Sequence, residues 1–122
     1  FNCNFTIKDF YYEIEELLKK TDIVISRAGA GTINDIIKFK IPSILAPLSF
    51  SKDNHQYENA LILANKGCAI IVNEKQHDLR KINKFIEEIL FNKSKQSEIF
   101  DNFNKIKLND ANKLMLNKIM ND

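Results

Sequence analysis

A chain of 122 residues, 44% hydrophobic and with three glycines and two prolines, is long enough for one domain with a real core and falls outside the disordered and fibrous classes. Its 18 basic and 16 acidic residues leave a formal charge of +2, too balanced to argue for nucleic acid. No apolar stretch approaches the ~18 residues of a membrane span and no signal peptide is visible. Cys3 and Cys68 are too few for a disulfide framework, and Cys68 sits in an apolar run, so a buried, reduced cytosolic thiol is expected. The chain begins at Phe1 and not at Met, and its first residues read as the tail of a strand, which points to a fragment or a split subunit.

The elements alternate along the chain. Tyr11 to Lys20 carries Ile14, Leu17 and Leu18 at helical spacing. Asp22 to Ser26 is a β-branched run of the kind buried on both faces of a sheet. A glycine-rich turn leads to a helix over about Thr32–Phe39, Pro42 ends that unit, and Ser43 to Ala46 reads as the next strand. The polar stretch Pro47 to Asn54 is a loop. A helix from His55 to Lys66 then carries the stripe Tyr57, Ala60, Leu61 and Ala64, with Gly67 placed to cap it. Ala69 to Val72 is a further buried strand. Three helices follow: Asp78–Asn92 with Leu79, Ile82, Ile86 and Ile89 on one face, Gln96–Lys107, and Asp110–Met120.

This alternation predicts an α/β fold, a Rossmann-like parallel sheet with flanking helices. Ligands in such sheets bind beyond the carboxyl ends of the strands, where the loops after Ser26 and Ala46 both fall. Gly29 and Gly31 bracket Ala30 at a strand-to-helix turn, where glycine permits a tight bend and close approach to a ligand. The free amides and positive dipole end of the helix then favour a phosphate. The same residues also read as a plain tight connection. Thr32 and Asp35 fit a capping box as well as they fit contacts to a phosphate and to sugar hydroxyls.

Asp53 to Asn59 is a second polar cluster at a helix start. His55 and Asn59 share a face, as do Gln56 and Asn59, and the two carboxamides can both donate to and accept from sugar hydroxyls. A solvated first turn capped by Asp53 or Asn54 is the competing reading. Two histidines without ligand spacing make a zinc site improbable, and neither Ser26 nor Ser43 has a nucleophile-elbow context.

Taken together, Asp22–Asp35, Pro42–Leu48 and Asp53–Ala60 resemble, in order and spacing, the C-terminal domain of the MurG family. Phe10-Tyr11-Tyr12-Glu13-Ile14 resembles that family's uracil-holding motif, and the likeness runs from about residue 9 to 75. The resemblance implies the C-terminal half of a GT-B glycosyltransferase. That enzyme transfers N-acetylglucosamine (GlcNAc) from UDP-GlcNAc to lipid I to make lipid II for peptidoglycan, and so serves cell-wall biogenesis, cell shape and cell division. It implies no metal or redox cofactor. Tyr11 would present its backbone to the uracil, with Phe10 beside it, and Arg27 would lie near the nucleotide. Ala30, Gly31 and Thr32 would line the diphosphate and sugar. Asp35 stands where the family usually has Glu on the ribose. His55 and Gln56 would hold the GlcNAc hydroxyls, with Asn59 supporting that turn. No catalytic residue is expected in this chain. The acceptor site, the base and the peripheral contact with the cytoplasmic face of the bacterial inner membrane would belong to an N-terminal domain absent here. Two readings stay open beside it: the donor-binding subunit of a two-chain enzyme resembling the dolichol-pathway GlcNAc transferase, and a non-catalytic remnant.

Overall fold

Three short β-branched runs build the sheet. The computed structural model describes residues 14–47, 55–73 and 79–106. Within them α1 (Ile14–Lys19) leads to β1 (Val24–Ser26), α2 (Ala30–Phe39) and β2 (Ser43–Leu45). Then come α3 (His55–Ala64), β3 (Ala69–Ile71), α4 (Leu79–Phe91) and α5 (Lys93–Asn104). The strands pair in parallel in the order β1-β2-β3, with Ile25, Ile44 and Ile70 in register. Their carboxyl ends therefore finish level. The ladder runs one residue past the strands through Ala46 N–H to the Ser26 carbonyl (2.9 Å) and Val72 N–H to the Leu45 carbonyl (2.9 Å). The Rossmann-like expectation is borne out.

Central β2 is fully buried, as a parallel strand covered on both faces must be. β1 departs from its expected burial. It is shorter than the Asp22–Ser26 run, and Ile25 is 64% exposed on what is the outermost of the described strands. β3 keeps only Ala69 fully inside. The core joins Ile33 and Ile36 of α2, Leu63 of α3, Phe85 and Ile89 of α4, and Ile99 and Phe103 of α5.

Helix phases and ends refine the sequence reading. α2 begins at Ala30, two residues before the expected start. Thr32 is then already the third helical residue and cannot cap with Asp35; the N-cap is Gly29, with no side-chain cap bond. The buried face of α3 is Asn59, Ala60 and Leu63, whereas Tyr57 of the predicted stripe is 51% exposed. In α4 the expected stripe holds at Ile89, which is buried, and at Ile82 and Ile86, which pack half-buried against the core, but Leu79 is exposed and Phe85 is buried as well. α5 starts earlier than expected because the Asn92 side chain caps it, accepting from Lys95 N–H at 3.1 Å.

Gly67 does close α3. Its φ of 75° is left-handed, Gly67 N–H donates to the Ala64 carbonyl, and Cys68 N–H donates to that of Leu63, the pair of bonds of a Schellman motif. The same pair closes α2 around Lys40, whose φ of 54° a side chain rarely adopts. Lys40 also places its ammonium 4.6 Å from the Phe100 ring centre.

Cys68 is buried, as expected, and burial pushes its thiol up to about 11 against a smaller opposing pull from Lys66. A thiol so shifted stays protonated at neutral pH and is a poor nucleophile. Among the described residues no helix is long and apolar enough to cross a membrane. Cys3, Phe10, Tyr11, Asp53, Asn54 and the expected helix Asp110–Met120 lie outside the described residues.

Candidate donor site at the carboxyl edge of the sheet

The site grows from the end of β1. Ser26 turns its hydroxyl onto the neighbouring carbonyl of Arg27 (2.8 Å), which spends that side chain on the backbone. Arg27 is exposed and swings across to the next loop, donating from its guanidinium to the Ala46 carbonyl at 3.2 Å. Ala28 is completely buried. A larger residue there would have to displace the packing around it.

Gly29 follows, with φ −65° and ψ 151°, extended values open to any residue. The expectation that glycine is needed here for a tight turn is therefore not met. What glycine provides is space: a Cβ at this position would meet nothing within 4 Å. It also leaves the helix without a capping side chain, so nothing of its own competes for the first amides.

The first intrahelical bond of α2 runs from Ile33 N–H to the Gly29 carbonyl (3.0 Å). The amides of Ala30, Gly31 and Thr32 come before it and lie at the positive end of the helix dipole. No acidic residue in the first turn offsets that charge. Asp35 is half-buried one turn further in, on the face it shares with Gly31 and Thr32 by helical spacing.

The start of α3 closes the other side. Asn59 is 3% exposed and donates its carboxamide N–H to the Ala28 carbonyl at 3.1 Å, which fixes α3 against the turn. One turn earlier His55 and Gln56 are half-buried, and His55 Nδ1 stands 3.6 Å from a Glu58 carboxylate oxygen. Arg27, Ala30, Gly31, Thr32, His55, Gln56 and Asn59 thus converge on one edge, with Asp35 behind them. Tyr11, expected at the uracil, lies outside the described residues. Two participants escaped the sequence reading, the accepting carbonyls of Ala28 and Ala46, which left no signal because any residue carries one.

Residues 1–115 match the Glycosyltransferase family 28 C-terminal domain. The chain belongs to that family. This family-28 domain is 40% identical over 130 residues to the UDP-N-acetylglucosamine–N-acetylmuramyl-(pentapeptide) pyrophosphoryl-undecaprenol N-acetylglucosamine transferase of Prochlorococcus marinus strain MIT 9312, covering 98% of this chain and 36% of that protein. It is 38% identical over 92 residues to the enzyme of the same name from Desulforamulus reducens, covering 75% of this chain and 25% of that one. In fold it is similar to the crystal structure of MurG from Acinetobacter baumannii, with a TM-score of 0.68 at 21% identity over 94% of this chain and 33% of the other. The family-28 domain therefore spans about a third of the length of the first of these relatives.

Proposed function

We propose that this family-28 domain binds UDP-GlcNAc as the donor-binding part of an inverting hexosyltransferase, which transfers GlcNAc to lipid I and forms lipid II. The observation that carries the reading is the start of α2. Three amides stand there without a side-chain cap or an acidic residue in the first turn of their own helix, at the carboxyl edge of a parallel sheet. The names of the relatives supply the sugar nucleotide and the acceptor.

In this reading residues 1–122 belong to one C-terminal UDP-sugar-binding domain, with the helices from about residue 78 appended. Tyr11 holds the uracil, and Arg27 lies at the nucleotide edge. Ala30, Gly31 and Thr32 line the diphosphate, and Asp35 accepts from the ribose. His55 and Gln56 meet the GlcNAc hydroxyls, with Asn59 beneath them. An acceptor hydroxyl, deprotonated by a base outside this chain, attacks the anomeric carbon as UDP departs. The contribution of this domain is electrostatic: amides fixed in advance stabilise the charge growing on the leaving diphosphate. It also holds the sugar in line for attack. The acceptor site and a peripheral contact with the cytoplasmic face of the membrane belong to a second domain, and lipid II supply links the enzyme to cell shape and division.

Thr32→Val and Asp35→Ala test the assignment. Thr32→Val removes a hydroxyl donating to a charged phosphate and Asp35→Ala a carboxylate accepting from the ribose, each worth about 1.5–3 kcal/mol, so each should weaken UDP-GlcNAc by roughly tenfold or more in a calorimetric titration. Unchanged affinity in both variants would sink the site assignment.

A further inference from the structure

We propose that Asn59 is a positioning residue that couples the two halves of the site through the Ala28 carbonyl; the inference rests on the donor-binding reading above. Asn59 belongs to α3, the helix whose first turn carries His55 and Gln56, yet its carboxamide reaches a carbonyl 31 residues earlier, in the turn that opens α2. Both ends of the bond are buried: Asn59 is 3% exposed and Ala28 is fully enclosed. Water therefore does not compete for the carbonyl, and its orientation is set by Nδ2.

The Ala28 carbonyl and the Gly29 N–H share one rigid peptide plane. Fixing the carbonyl fixes the direction of that N–H, and with it the entry of the chain into α2, where the Gly29 carbonyl receives the first helical bond from Ile33. Asn59 thereby holds the phosphate end of the site at a set distance and angle from the sugar end. The chemistry requires a donor. A carboxylate of the same shape offers only acceptors and would face the carbonyl with its lone pairs. Burial and that facing carbonyl would also raise the pKa of such a carboxyl, and its protonated form would regain a donor.

The test compares the 122-residue chain with its Asn59→Asp variant, using UDP as the ligand and two-dimensional amide NMR as the readout. At pH 8 the variant should bind UDP at least tenfold more weakly, with the Gly29–Thr32 amide resonances displaced before ligand is added. The deficit relative to wild type at the same pH should shrink as the pH falls and the new carboxyl becomes protonated, a profile that a loss of packing alone would not produce. Wild-type chain titrated with inorganic pyrophosphate supplies a second measurement, independent of the variant's folding. The Asn59 side-chain NH2 resonances should shift together with those of Gly29–Thr32. UDP binding within twofold of wild type at pH 8, or pyrophosphate shifts at Gly29–Thr32 with none at the Asn59 side chain, would overturn the inference. A wild-type chain that binds neither UDP nor pyrophosphate would instead overturn the donor-binding reading.

Discussion

Replacing Gly29 with aspartate should stabilise the fold and abolish UDP binding at once. The backbone at Gly29 already has the dihedrals of an N-cap, and a Cβ there meets nothing within 4 Å, so the substitution carries no steric cost. Losing a glycine from the unfolded chain gains about 0.4–1 kcal/mol, and a carboxylate at a helix N-terminus adds about 0.3–1 kcal/mol. The same carboxylate would occupy the first amides of α2 and place a negative charge where the diphosphate binds. Two like charges about 4 Å apart repel by roughly 4 kcal/mol at an effective dielectric of 20, so UDP affinity should fall by at least about a hundredfold. The melting temperature should rise while the titration flattens. Gly29→Ala separates the two effects, since it tests the empty space without the charge. An aspartate variant that binds UDP as wild type does would mean that the helix start is not where the diphosphate lies.

Leu63→Ala should cost about 2–5 kcal/mol of folding free energy. Leu63 is fully buried in the core that joins α3 to the sheet and the last helices, and its carbonyl accepts the Cys68 bond that closes α3. Against the ~5–15 kcal/mol that holds a typical domain together, such a loss is a large share. The urea midpoint should drop in proportion with an unchanged slope. The site feels the change as well, because Leu63 lies one turn after Asn59 on the same helix face and anchors the helix that presents it. A folding free energy within about 0.5 kcal/mol of wild type would show that α3 is not held by this core.

Much of the fold was legible because the apolar runs are short, β-branched and regularly separated by helices, a pattern that admits few architectures other than a parallel sheet. Gly67 was legible as a helix stop for the same kind of reason: a left-handed residue is needed where α3 ends. The exposure of Ile25 was not legible. A β-branched strand reads alike at the centre and at the edge of a sheet, and β1 is outermost among the described strands. The phase of α3 was misread because Asn59, a polar residue, occupies the buried face; its interior place depends on the Ala28 carbonyl, a partner that only the fold supplies. Of the two roles read for Gly29, the tight bend is not needed, since its dihedrals are ordinary, and the space left by the missing Cβ is what matters. The family resemblance brought Thr32, Asp35, His55 and Gln56 to one edge of the sheet before any coordinates did. The two cross-links that tie this edge together, Arg27 to Ala46 and Asn59 to Ala28, both end on backbone carbonyls and leave no trace in side-chain identity.

The most direct measurement is a titration of the 122-residue chain with UDP-GlcNAc followed residue by residue through its backbone amides. Saturable shifts are expected to concentrate at Gly29, Ala30, Gly31 and Thr32 and at His55 to Asn59, with UDP competing at the same residues. Saturable binding whose shifts fall elsewhere, or no shift at the α2 start at any UDP-GlcNAc concentration, would contradict the donor-binding reading.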